Sequence, residues 1–243
     1  ELMVQAQINP LPKNKPLSGS FRLSGLDLSV ARPFVPMVEK LAGRLNGSGT
    51  LSGGLLAPQV NGNLALSEGE ISGPQLPTGF EALQLQAQIA GESVQLNGNW
   101  KSGKSGQGSL MGQVDWGQAL VVDLSVRGSQ LPVSVETYGA LEVAPDLKIS
   151  IKDDKLAITG KVHVPKGEIT VRELPPSTVK VSDDTVIVGH QTEEGKPPMA
   201  MAMDIEVIVG EDKLSFAGFG LTANLQGHVH IGDNMDTRGE LWL

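Results

Sequence analysis

Residues 83–89 read Leu-Gln-Leu-Gln-Ala-Gln-Ile, with an aliphatic side chain at every second position and glutamine between. Side chains on a strand point to opposite faces in turn, so this stretch is a strand with one apolar face and one amide face. The same alternation recurs at Leu120, Val122, Leu124 and Val126, and at Leu156, Ile158, Gly160, Val162 and Val164. It recurs again at Met201, Met203, Ile205, Val207 and Val209. The longest run passes through Phe219, Leu221, Ala223, Leu225, Gly227, Val229 and Ile231. The pattern predicts about sixteen strand segments. At roughly 4.8 Å per strand, one continuous sheet of them would extend on the order of 75 Å.

One segment departs from this period. Ala31–Ala42 places Phe34, Met37, Val38 and Leu41 at helical spacing, with Pro33 near a first turn, and predicts one short helix despite Pro36. Loops are expected at Pro10–Pro16, Ser72–Gly79 and Gly189–Pro198, where proline, glycine and charge gather.

Composition narrows the class. The 243 residues include 30 Gly and 15 Pro, and aromatics make up only 4%. The apolar surface is therefore smooth and aliphatic, whereas sheet-on-sheet cores usually draw on several bulky rings. Net charge is −8, and the 19 Lys and Arg form no cluster. That excludes a basic stripe for nucleic acid and electrostatic docking on an anionic membrane. Without Cys there is neither a disulfide framework nor a thiolate metal site. There is no signal peptide and no apolar run long enough to span a bilayer. The chain ends in what reads as a strand, as a piece of a longer protein would.

An internal repeat says more. Val60-Asn-Gly-Asn-Leu-Ala-Leu-Ser-Glu-Gly-Glu-Ile71 matches Ile158-Thr-Gly-Lys-Val-His-Val-Pro-Lys-Gly-Glu-Ile169, and the register holds through Leu76-Pro77 and Leu174-Pro175. Repeated β units bury their apolar faces only with their neighbours, as elongated sheets do. Glycine inside the strands permits bulges and curvature. One short helix cannot cover so much apolar face. The sheet must close on itself, pack on a second sheet, or curl into an open groove. Burying one Leu or Val is worth roughly 1.5–3 kcal/mol, so something hydrophobic belongs there.

The segments VNGNLALSEGEISGPQLP and ITGKVHVPKGEITVRELPP resemble the TamB family, within the wider AsmA-like group of bacterial envelope proteins, and the resemblance runs the length of the chain. It implies an all-β, taco-like curled sheet with a hydrophobic inner groove, residues 1–243 being one continuous segment of a longer periplasmic protein. It also implies an inner-membrane-anchored protein that bridges the periplasm of a Gram-negative bacterium and moves phospholipid between the membranes. The expected partners are phospholipid acyl chains and the outer-membrane protein TamA, the latter through regions outside this segment. An alternative cargo is the unfolded strand of an outer-membrane protein or autotransporter, which could pair with an exposed sheet edge. A purely structural β-spacer with a self-filled core is a third reading.

Other motifs carry less. Gly98-Asn-Trp-Lys-Ser-Gly-Lys-Ser105 fits the phosphate-loop pattern, but such a loop needs a helix directly after its lysine, and Gly106-Gln-Gly108 leads into another alternating run. His228 and His230 share one strand face, with His163 in a comparable position, and without a third ligand they read as a solvated face, not a zinc site. Asp153-Asp154 and Asp183-Asp184 read as turns before calcium or acid–base sites. Met201 and Met203 read as ordinary packing before an adaptable contact stripe. No nucleophile or metal-protease motif occurs, so the chain is read as a non-enzyme without cofactors. The residues expected to line the groove are Leu83, Leu85, Ile89, Leu120, Val122, Ile158, Val162, Ile205, Val207, Leu221 and Val229.

Overall fold

Alternation of this kind can bury its apolar side only in concert with neighbours, and the strands indeed form one sheet. The computed structural model describes residues 1–9, 16–54, 57–74, 76–135, 139–171, 200–218, 220–233 and 236–242. The strands are β1 (Leu2–Ile8), β2 (Leu17–Asp27), β3 (Lys40–Gly54), β4 (Ala57–Ser72), β5 (Phe80–Gly91), β6 (Ser93–Ser102), β7 (Gly106–Asp115) and β8 (Val121–Ser129). They continue as β9 (Leu131–Val135), β10 (Gly139–Lys152), β11 (Lys155–Val171), β12 (Ala200–Gly218), β13 (Leu221–Asn224), β14 (Gln226–Ile231) and β15 (Thr237–Trp242). The sheet is open and curled. Its order follows the chain, except that β9 pairs with β10 and β13 with β12 beside the main path. Among the described strands every pairing is antiparallel but one. β11 and β12 run parallel, and residues 172–199 lie between them in sequence in place of a short hairpin.

Cross-strand register carries the apolar positions onto one face. Val4, Phe21, Gly49, Gly62, Ile89, Val94, Val114, Val122, Ile151, Leu156 and Met201 oppose one another strand by strand in a single unbroken row. Neighbouring rows set large residues against glycine, as in Leu96–Gly112–Leu124 and Trp100–Gly108. The reason is space. A Cβ on Gly108 would lie 2.1 Å from the Trp100 ring, and one on Gly112 would lie 2.7 Å from a Leu124 methyl. Side chains crowd the concave side of a bent sheet, and small residues make room for their neighbours.

The bend has a location. Register slips occur between Leu23 and Leu26 in β2, Ala42 and Arg44 in β3, Glu81 and Gln84 in β5, Glu142 and Ala144 in β10, and Val164 and Lys166 in β11. Positive-φ residues mark the same line, at Gly25, Gly43, Glu68, Ala82, Gln130 and Gly210. Extra residues in one strand of a pair kink that strand, so bulges aligned across the sheet make a crease. Six of the eight buried apolar residues among those described gather along it: Leu41, Leu83, Trp100, Leu131, Val164 and Leu214. Phe80 tilts against Trp100 at 5.2 Å, and Ser102, fully buried, bonds Thr78 at 2.7 Å. Beyond the crease, Ser134 of β9 donates its N–H to the Pro77 carbonyl and ties that strand to the β4–β5 loop. The longer wall of the curl consequently remains half-exposed.

Several local expectations change. The predicted helix at 31–42 is a 3-10 helix at Leu28–Phe34, capped by Asp27, whose carboxylate accepts from the Ser29 N–H. Pro36 disfavours helical geometry at Val35, so the chain turns there, and Leu41 becomes a buried strand residue. The run from Phe219 to Ile231 is not one strand: β13 and β14 separate at Leu225, whose N–H bonds the Leu214 carbonyl, and Phe219 lies outside the described residues. The loop at Ser72–Gly79 does connect β4 to β5. Gly189–Pro198 and Asp183-Asp184 lie outside the described residues, as do most of the Pro10–Pro16 loop and Leu174-Pro175. Both copies of the repeat are long strands that bend near their middles, in β4 and β11.

Asp153 and Asp154 form the two-residue turn between the paired Lys152 and Lys155, with φ of 51° and 55°. That geometry is costly for a residue with a Cβ and suits glycine at the second position. Asp154→Gly is expected to raise stability by about 0.5–1 kcal/mol, read as a higher urea midpoint at unchanged slope.

Candidate functional site

The feature with a clear chemical identity is the apolar face of the curled sheet. Its wall is built by strand alternation alone. Leu85, Ile89, Val122, Ile158, Val162, Ile205, Val207 and Val229 fall on the inner face, with Val162, Val207 and Val229 aligned across three strands. Leu83 lies on the same face but at the crease, 5% exposed beside Gly69 and Leu66, where it serves packing more than contact. Leu120 directly precedes β8 and is 48% exposed. Leu221 opens the side strand β13 opposite Gly218 and is 49% exposed, away from the central rows.

Leu96, Leu110, Leu124 and Ile149 sit in the central rows alongside the expected residues. Their alternation was legible. Trp100 was not singled out, although it follows Leu96 and Gly98 at the same period. Its indole N–H is buried without a hydrogen-bond acceptor among the described residues, which places the ring firmly in the apolar layer. No charged side chain occurs in the rows from Phe21 to Met201, and nothing there can donate a proton or attack a substrate.

Among the described residues of these central rows, charge lies on the other face. Arg127 pairs with Asp146 at 3.2 Å, Lys161 with Glu206 at 2.7 Å, and His230 with Asp204 at 2.9 Å. His228 lies 3.9 Å from Glu206 and edge-on to Trp242, while His163 sits opposite Ile208. Among the described residues no group of side chains could hold a metal ion. The phosphate-loop look-alike is the turn of the β6–β7 hairpin, with strand on both sides of Gly103, Lys104 and Ser105 and no helix to face a phosphate.

The hydrogen bond and charge of Lys161 hold the Glu206 carboxyl below the usual glutamate range, with smaller help from the nearby histidines. A lowered folded-state pKa stabilises above the unfolded value, and the benefit fades as pH falls through the folded one. Lys161→Met is therefore expected to return Glu206 to the ordinary range, a shift readable by carboxyl NMR titration.

Comparison with known proteins places the chain. The family profile described as the TamB N-terminal domain matches residues 1–66, and the one described as the TamB C-terminal domain matches residues 95–242. The translocation and assembly module subunit TamB of Haemophilus influenzae is 23% identical over 96% of this chain. The chain spans 19% of that relative's length. No solved structure matches. Among the described residues no helix is long and apolar enough to cross a membrane.

Proposed function

The chain belongs to the TamB family, and on that premise we propose that its trough carries phospholipid acyl chains across the periplasm, between inner and outer membranes, as part of the translocation and assembly module. The observation that carries this reading is the uncharged row that crosses eleven strands, from Val4 to Met201, without a break. An acyl chain of about sixteen carbons gains roughly 13 kcal/mol on leaving water, at ~0.8 kcal/mol per methylene. A continuous aliphatic wall returns most of that at every position along it. A lipid tail then slides between equivalent sites without a large barrier, its headgroup held at the open rim. The conduit is passive, and direction comes from outside this segment.

A second reading has its own support. All seven residues of β1 and all six of β15 are exposed, and each strand ends the sheet with one unpaired backbone edge. Such an edge accepts an extended client strand by main-chain hydrogen bonding, as a scaffold for outer-membrane barrel assembly together with TamA would require. Photoreactive side chains at Leu96 and Val162 separate the two. The conduit predicts crosslinks to phospholipid, identified by mass spectrometry, and co-purifying lipid in the untreated protein. Capture of polypeptide alone at both positions would favour the scaffold and sink the conduit.

A further inference from the structure

The central rows of the outer face change chemistry along the sheet. From β8 onward they carry Asp123, Arg127, Asp146, Lys148, Lys161, Asp204 and Glu206, cross-linked by the ion pairs described above. On β4–β7 the same rows carry amides. Asn63, Gln88, Gln95 and Gln113 oppose one another in sequence and lead to Asp123, and Gln86, Asn97 and Met111 form the adjacent row. These rows line a shallow depression of about 940 Å³ whose only charged residue is Asp123. Gln86, Gln88, Gln95 and Asn97 make no side-chain hydrogen bond within the described residues.

We propose that this amide face binds an uncharged polysaccharide laid across the strands. Each Asn or Gln offers two N–H donors and a carbonyl acceptor, and sugar hydroxyls need both kinds of partner. The rows advance by one amide per strand at ~4.8 Å, which gives a track of roughly 19 Å from β4 to β8, long enough for several linked rings. Met111, half-exposed within the lining, supplies an apolar contact for the C–H face of a ring. The lack of cations leaves no partner for a nucleic acid or an acidic polymer. A peptide strand would be drawn to a free sheet edge, where backbone groups are unpaired, and not to the middle of a face. The inference stands independently of the trough, because it uses the opposite set of side chains.

The test uses the chain with β-1,4-linked N-acetylglucosamine hexasaccharide and disaccharide, and with hyaluronan as the anionic comparison, in calorimetry and NMR titrations. The hexasaccharide is expected to bind saturably and at least about tenfold more tightly than the disaccharide, since it spans more strands. Gln88→Ala with Gln95→Ala, both exposed and so compatible with folding, should weaken it about tenfold or more. Ile89→Asp, on the inner face, should leave it unchanged. Absence of saturable binding at millimolar hexasaccharide, equal binding of hyaluronan, or binding indifferent to the double substitution would each overturn the proposal. So would a concentration-dependent dimer that the double substitution dissolves, because the face would then be a contact between copies.

Discussion

On the proposed conduit, aspartate at Ile89 and Ile158 together is expected to abolish lipid binding while leaving the sheet intact. Both residues face inward on the long wall, and both are only half-buried, so a carboxylate there can reach water at the open side in the empty protein. An acyl chain filling the trough removes that water. Leaving an ionised carboxylate in such surroundings costs several kcal/mol, against a per-methylene gain of only ~0.8 kcal/mol. Phospholipid recovered with the double variant should fall by about tenfold or more, with an unchanged circular-dichroism spectrum. Two sites matter because one charge can be bypassed along a surface that distributes its contacts. A folded double variant that carries lipid as well as the parent would remove the basis for the conduit.

Trp100→Ala is expected to cost about 3–5 kcal/mol, the largest stability loss of any single substitution on the inner face. The ring is 7% exposed and covers Gly108 at the bottom of the crease, with Phe80 leaning on it. No neighbour can collapse into the gap, because the surrounding backbone is held by hydrogen-bonded strands. Trp100→Phe keeps most of the volume and removes an indole N–H that has no acceptor among the described residues, so it should cost far less, under about 1.5 kcal/mol. Urea unfolding of the two variants checks both numbers. If alanine and phenylalanine cost the same, the crease does not depend on a packed ring and the bend has another cause.

These two residues show how differently the parts of the protein were written in its sequence. Ile89 was legible as an apolar-face residue because the period of two is local: three alternations fix the face before any partner is known. The same logic put Leu85, Val122, Ile158, Val162, Ile205, Val207 and Val229 on that face. Leu120 and Leu221 stand at strand starts, the one just before β8 and the other opening β13, and alternation does not show where a strand begins. Trp100 was illegible as the crease because nothing in its own neighbourhood differs from any other inward position. The 3-10 helix at Leu28–Phe34 was misread as longer because apolar spacing outweighed the restraint that Pro36 places on the residue before it.

The amino-acid order by itself determined that this chain is β throughout, with one aliphatic face and one polar face, and that its units repeat. Those properties follow from side-chain direction along a strand, which depends on neighbours one and two residues away. Only the tertiary structure decided that the sheet stays open, that its bulges line up into a crease, and that the parallel joint falls between β11 and β12. Each depends on register between strands, which is set by contacts between residues far apart in the chain, so no local pattern contains it.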